Sequence, residues 1–344
     1  MRDKLKLIRL ILREDLILKH DLILPLVDNL VFKFISIGSK RRIIQFYKEY
    51  SQYGRIPKNV SSIIILANYR TKAKIRKILA EGNLETPIEF KSSIFHEATL
   101  ELALQDLKKF GFANFGKILD NQILLELEKL SNESVFTRSG QKANSPDTNI
   151  SHIWYVDPKV VLDNLGIQKL ILDSFWKQIA DSYLNSSTKI SSIRCWHSFP
   201  PPKNKGLGPE NWHLDAGDGL NFIKFFILLT SVGKTNGPTS LVPISSSNLP
   251  RKFFTGRRFS NREIAQLLKK NNTQELLALG EFGTVYAIDT RLIHRGTPVE
   301  TGHRFLVNWT VNTDRFGNTG DEKYQLKSNN LLHNRPELFI NTIS

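Results

Sequence analysis

The stretch NFIKFFILLTSV, residues 221–232, decides how the rest of the chain is read. It is a short run dominated by β-branched and aromatic side chains, and the turn signal KTNGP at 234–238 closes it. Such side chains pack well on a pleated, buried surface, so the run predicts a strand. Four other runs share the texture: SIRCWHSF at 192–199, TSLVPI at 239–244, GTVYAID at 283–289 and RFLVNWTV at 304–311. A further turn, ETGH, stands at 300–303. Short, evenly spaced strands without strand–helix alternation indicate an antiparallel sandwich or barrel. A helical pattern from Asn261 to Leu279 interrupts the series.

Upstream of this block the pattern is helical. Residues 96–110 read as a helix, Phe112 and Phe115 mark a short strand, and Asp120 is placed to cap a helix from Asn121 to Leu130. Residues 131–150 are rich in Ser and Asn and predict a loop or lid, and another helix is expected from Leu165 to Tyr183. The segment GNLETP at 82–87 reads as a joint. It separates a basic helical region, 1–86, from a larger domain, 87–344. The expected class is α+β with a mainly β core.

Composition limits the function. The chain has 344 residues and carries a net charge of +15, which invites a nucleic-acid reading. Residues 1–82, however, hold 18 Lys and Arg against 7 Asp and Glu, so most of the excess belongs to the N-terminal quarter. The remainder is nearly balanced, as in an enzyme or binding domain. No aromatic–basic interleaving accompanies the N-terminal charge, so a nucleic-acid partner is not expected. Leu5, Ile8, Leu12 and Leu16 recur at helical spacing with basic residues between them. Such a helix either packs on the rest of the chain or makes a peripheral contact with an anionic membrane or a protein. No uncharged apolar run reaches the roughly 18–20 residues of a membrane span. The single cysteine cannot pair within the chain, and a reducing, cytoplasmic location is the expectation.

Chemistry concentrates in WHLDAGD at 212–218 and DTRLIHRGTP at 289–298. Residues i and i+2 of an extended strand share a face, so His213 and Asp215 can address one ion. His294, on a neighbouring strand, completes a set of two imidazoles and one carboxylate. Three coordination positions then stay open, the geometry associated with non-haem Fe(II) oxygenases; a zinc site usually takes more imidazole or thiolate. Ten residues beyond His294 stands Arg304. A hairpin at ETGH would return it beside the metal. Its planar fork suits a carboxylate, such as the far end of a keto acid that chelates iron at its near end.

These segments together resemble the phytanoyl-CoA dioxygenase-like branch of the Fe(II)/2-oxoglutarate oxygenases. The resemblance spans roughly residues 107–312 and includes GFANFGKILD, WHLDAGD, NFIKFFILLTSV, NGPTSLVPIS, GEFGTVYAID and IHRGTPVETGHR. It implies a double-stranded β-helix, or jelly roll, flanked by helices. It implies iron held by His213, Asp215 and His294, with the 2-oxoglutarate C5 carboxylate on Arg304. It also implies that O2 and 2-oxoglutarate are consumed, that succinate and CO2 are released, and that a small-molecule substrate is hydroxylated. One departure is local: Pro243 is followed by Ile-Ser-Ser where the family often has Gly-Ser-His. Because Asp215 is present, hydroxylation, desaturation or epimerisation is favoured over halogenation, which needs the carboxylate position vacant.

Lys224 lies among Phe222, Phe225 and Phe226. Either it faces the cavity and contacts an oxygen of 2-oxoglutarate or substrate, or it is an outward, snorkelling lysine. Trp196 and Trp212 are read either as lining the site or as aromatic core packing. His152, His197 and His303 lack partner spacing and read as structural. Asp218 is a candidate turn cap. Asp289 either orients His294 or ends its strand. The competing readings are a cupin-like metal enzyme that uses no keto acid, and a surface or nucleic-acid-binding protein driven by the basic N-terminus.

Overall fold

The computed structural model describes residues 97–132, 136–138, 141–149, 151–202, 210–215, 221–243, 258–313, 326–327 and 329–334. The basic region expected at 1–86, Asp218, and the stretch after Pro243 lie outside the described residues.

Helix α1 (Glu97–Phe110) leads through strand β1 (Phe112–Gly116) to helix α2 (Asn121–Glu128). Asp120 caps α2 as the sequence predicts: its carboxylate accepts from the Ile123 N–H at 2.8 Å, worth about 1 kcal/mol. A 3-10 turn, Lys129–Asn132, closes that helix. The polar segment that follows is not wholly loop. It folds into a hairpin of β2 (Phe136–Arg138) and β3 (Gln141–Ala143), which β4 (Ile153–Val156) joins through β2. Phe136 is the anchor; it buries itself where the surrounding residues are polar.

The helix expected at 165–183 is broken in two. After α3 (Pro158–Asp163) come α4 (Leu165–Leu172) and α5 (Ser174–Leu184). Asp173 separates the last two because its backbone is extended (φ −65°, ψ 126°) and its carboxylate accepts from the Phe175 N–H at 2.9 Å. An acidic side chain that caps the next helix ends the previous one. Strands β5 (Lys189–Ser198), β6 (Phe222–Leu228) and β7 (Thr239–Leu241) follow. The predicted helical insertion also stops early. Helix α6 (Asn261–Lys270) starts in a reciprocal Ser260–Glu263 capping box and ends at Asn271. Asn272 then takes a left-handed backbone (φ 46°), which asparagine tolerates better than most residues. The rest of that segment becomes β8 (Leu276–Ala278). Strands β9 (Val285–Ile288), β10 (His294–Gly296) and β11 (Arg304–Asn312) complete the order, with a 3-10 turn at Leu331–Asn334.

The strands form two antiparallel sheets. The large one has the order β1-β9-β6-β11-β5-β4-β2-β3, and the small one β10-β7-β8. One expectation fails here. The ETGH segment does not make a hairpin between the strand of His294 and that of Arg304. β10 pairs with β7 in the small sheet, whereas β11 lies between β5 and β6 in the large one. With all nine residues buried, alternately on its two faces, β11 finds more partners at the centre of the large sheet than a three-residue β10 offers.

Alternation gives the large sheet two different faces. Outward point Phe225 and Ile227 of β6 and Phe305, Val307 and Trp309 of β11, which merge with α1, α2, α4 and α5 in the principal core. Trp176 of α5 sits edge-on to Phe225 (5.4 Å between centroids) and Trp309 (5.6 Å), and those two rings stack on each other. Each such side chain stabilises the fold by about 1.5–3 kcal/mol through burial. Inward point Phe226, Leu228, Tyr286, Ile288 and Leu306, which pack on Leu241 and Ala278 of the small sheet. The two sheets therefore face each other, with the helices over the outer side of the larger one.

Candidate metal centre

Backbone pairing brings the two predicted imidazoles together. The His213 N–H donates to the His294 carbonyl and the His294 N–H to the His213 carbonyl, both at 2.9 Å, an antiparallel bridge. Directly paired residues of this kind hold their side chains on one face, and the ring centroids are 4.3 Å apart. Two residues on, the Asp215 N–H donates to the Thr290 carbonyl at 3.0 Å and turns its carboxylate into the same space. His213 Nε2 lies 3.5 Å from Asp215 Oδ1, and His294 Nε2 lies 3.4 Å from Asp215 Oδ2. One ligand atom from each residue falls within 4.8 Å of the others.

The imidazoles are presented for coordination. A carbonyl only accepts, so His213 Nδ1–H donates to the Asn211 carbonyl at 2.7 Å and His294 Nδ1–H to the Leu292 carbonyl at 3.0 Å. Each ring then carries its proton on Nδ1 and directs the Nε2 lone pair at the cluster. Burial lowers the pKa of His213, against the opposing pull of Asp215, and favours the neutral ligand form. Burial would raise the Asp215 pKa, but the positive charge beside it, from the imidazoles when they are protonated and from Lys224 throughout, outweighs burial. The carboxylate is held well below its ordinary range and stays anionic. Two neutral imidazole nitrogens and one carboxylate fit a divalent first-row transition ion with open positions.

Lys224 faces inward. Only 7% exposed, it donates to Asp215 Oδ2 at 2.7 Å. The inward row of β6 (Phe222, Lys224, Phe226, Leu228) is forced by alternation with the outward Ile223, Phe225 and Ile227. The buried lysine thus has the partner that its cost demands.

Arg304 opens β11 on the same inner face and is 5% exposed. One terminal nitrogen donates to the Gly237 carbonyl, and the other donates to Ser198 Oγ at 3.2 Å, while Nε has no partner. Among the described residues no carboxylate lies within 4.0 Å of it. Burial brings its pKa down to about 10, against the upward pull of Glu210, so it remains a cation at neutral pH. Two glycines shape the backbone around it, and only Gly296 leaves it room. Gly237 has φ +76°, and a Cβ there would sit 2.8 Å from the Thr297 carbonyl oxygen. A Cβ on Gly296 would sit 3.1 Å from an Arg304 terminal nitrogen. The small sheet therefore brings its own strand up to the guanidinium, although no hairpin joins β10 to β11. Phe226, Leu228, Ile288 and Leu306 line a narrow apolar space beside Arg304 between the sheets.

The structure also adds residues that the sequence did not reveal. Asp289 does not orient His294 directly. It is held bidentately by Arg291 (2.7 Å to each oxygen) and accepts from the Tyr183 hydroxyl at 2.8 Å. That anchor fixes the turn whose Thr290 and Leu292 carbonyls hold Asp215 and His294. The signal was present as Asp-Thr-Arg at 289–291, but its meaning depended on Tyr183, more than a hundred residues upstream. Glu210, a second buried acid, pairs with His152 at 3.2 Å, and burial raises its pKa despite that contact. Trp212 turns away from the cluster into a separate core with Val242, Phe259 and Ile264, under the Arg295 guanidinium. Trp196 packs at the inner face of the large sheet. His197 stacks on Phe305 with centroids 3.7 Å apart, on the outer face and away from the cluster.

No family model matches the sequence, and no curated protein does. Solved structures do. The non-haem α-ketoglutarate-dependent epimerase SnoN from nogalamycin biosynthesis aligns with a TM-score of 0.44 at 15% identity, over 63% of this chain and 81% of that one. HygX from Streptomyces hygroscopicus, solved with nickel, 2-oxoglutarate and hygromycin B, aligns with a TM-score of 0.43 at 12% identity, over 65% and 90%. EctD from S. alaskensis with bound Fe aligns with a TM-score of 0.44 at 14% identity, over 68% and 86%.

Proposed function

We propose that this chain is a non-haem Fe(II)/2-oxoglutarate-dependent oxygenase of the phytanoyl-CoA dioxygenase-like kind that hydroxylates a small molecule. The two sheets are then the two walls of a double-stranded β-helix. The observation that carries the reading is the presence of two features in the space between the facing sheets. One is a two-histidine, one-carboxylate cluster with its nitrogens free to ligate; the other is a buried arginine with no carboxylate partner among the described residues. A buried guanidinium left in that condition is costly, and a small dicarboxylic keto acid supplies the missing anion.

In this reading His213, Asp215 and His294 hold the metal. Their Nδ1–carbonyl hydrogen bonds keep the donor atoms aimed at it. Arg304 takes the C5 carboxylate of 2-oxoglutarate, and its Gly237 and Ser198 contacts hold the fork still. Lys224 keeps Asp215 anionic and restricts the rotation of its carboxylate. The apolar walls beside Arg304 exclude water. When bound, iron and 2-oxoglutarate supply the O2-derived oxidant, with succinate and CO2 as co-products.

The test is an assay of the full chain with Fe(II), O2 and 2-oxoglutarate across a panel of small molecules. It should show succinate formed as 2-oxoglutarate is lost, and His213→Ala should abolish both. A metal-dependent activity without succinate would replace this reading with the cupin-like one.

A further inference from the structure

Between Arg304 and the metal cluster, β11 presents one more polar side chain to the inner face. Phe305, Val307 and Trp309 enter the outer core and Leu306 the inner one, so Arg304, Leu306, Asn308 and Thr310 form a single inward row. Asn308 pairs with Phe226 of β6 and Arg194 of β5. One step further, Thr310 pairs with Lys224, the residue that reaches Asp215. Asn308 therefore lies on the stretch of wall that joins the guanidinium to the cluster. It is 5% exposed, and its Oδ1 is buried with no hydrogen-bond partner.

A buried carboxamide oxygen left without a partner costs roughly 1–3 kcal/mol. Among the described residues none supplies one: Phe226 and Leu306 are apolar, and Arg194, across from it on β5, is exposed and gives it no hydrogen bond. A leucine has nearly the same shape. Its cost is explained if a ligand completes it. A half-turn about the Cβ–Cγ bond exchanges the donor and acceptor ends of the group, so it can donate to a carboxylate or keto oxygen. We infer that Asn308 is a second binding residue for the keto acid, contacting the end nearer the metal while Arg304 holds the far end. This inference rests on the reading of Arg304 given above. It makes the strip from Arg304 to Asn308 a ruler for an acid with polar groups at both ends.

The experiment compares Asn308→Leu and Arg304→Met with the native chain. Each protein is loaded with Co(II) in the absence of O2 and titrated with 2-oxoglutarate. Melting temperature without metal and Co(II) affinity are measured alongside. Asn308→Leu should melt at or above the native temperature and bind Co(II) within about twofold of native. It should bind 2-oxoglutarate at least about tenfold more weakly, the effect of losing one hydrogen bond to a charged group. Arg304→Met should weaken 2-oxoglutarate more strongly. If Asn308→Leu binds the acid normally while Arg304→Met does not, Asn308 is no part of the acid site and the inference is overturned. If both bind it normally, the reading of Arg304 falls as well. A joint loss of melting temperature, Co(II) affinity and acid affinity in Asn308→Leu assigns the residue to folding and also overturns it. Should that variant not fold, Asn308→Asp decides: a like charge beside the acid should weaken 2-oxoglutarate without weakening Co(II), and unchanged acid affinity overturns the proposal.

Discussion

The two faces of the large sheet are built from the same strands but differ in how polar side chains are placed among the apolar ones. On the outer face, β6 and β11 contribute Phe225, Ile227, Phe305, Val307 and Trp309, fully buried and sealed by helices. On the inner face, the alternate residues of the same strands include Lys224, Arg304, Asn308 and Thr310, equally buried but polar. A polar row of this kind is expensive. It persists because the outer face supplies the stability, and because Lys224 is paired with Asp215, Arg304 with the Gly237 carbonyl and Ser198, and Thr310 with Ser192. The difference teaches that fold and chemistry are carried by alternate residues, so substitutions one position apart should separate them.

The largest expected effect is on the inner side. His294→Ala should reduce Co(II) affinity by more than the roughly 10–100-fold that loss of a supporting hydrogen bond costs a metal site, and should abolish turnover. Urea denaturation of the metal-free protein should show a smaller loss than an outer-face truncation; a comparable loss would erase the division. Next comes Trp309→Ala, the outer counterpart between Asn308 and Thr310. It should cost about 3–5 kcal/mol in urea, while the fraction that remains folded binds Co(II) normally.

His197 sharpens the comparison because it is a polar residue on the apolar face. Neither ring nitrogen has a partner, and burial, with the nearby charge of His303, lowers its pKa to about 4. Between about pH 6.5 and 4 the unfolded chain binds a proton there that the folded chain does not, so stability falls as pH falls through that window. The shift corresponds to roughly 3 kcal/mol at its lower end. His197→Phe should flatten that limb in melting curves recorded from pH 7 to 4; an unchanged slope would show that other groups set it. The smallest effect is expected from Asp289→Asn, which keeps the shape of the Arg291 and Tyr183 contacts but removes the charge. Co(II) affinity should drop by about tenfold, since the turn that carries the Leu292 and Thr290 carbonyls loosens without losing a ligand.

Much of this was legible beforehand, for local reasons. The five strand runs, the Asp120 cap and the β1 segment depend on side chains within a few residues of one another, and all form where expected. His213 and Asp215 were expected on one face because i, i+2 geometry holds on any extended segment, and the fold brings His294 to them. Errors arose where a short-range signal met a competitor. Asp173 reads as an ordinary helical position until its carboxylate is seen capping α5. Leu276 to Ala278 continues a helical pattern until Asn272 reverses the backbone. Arg304 does reach the inner face, but not by the expected hairpin, since the strands of His294 and Arg304 belong to different sheets.

The sequence by itself determined the five main strand runs, the residues able to ligate a metal, and the presence of a cation ten positions past His294. These follow from periodicity and side-chain chemistry, which act along the chain. Only the tertiary structure decided that Lys224 closes on Asp215, that Asp289 is anchored by Arg291 and Tyr183 beside the carbonyls that hold Asp215 and His294, and that Asn308 shares an inward row with Arg304. Those relations depend on cross-strand register and on sheets folding face to face. A shift of one residue in register would turn each of those side chains to the opposite face, and no local pattern records which register wins.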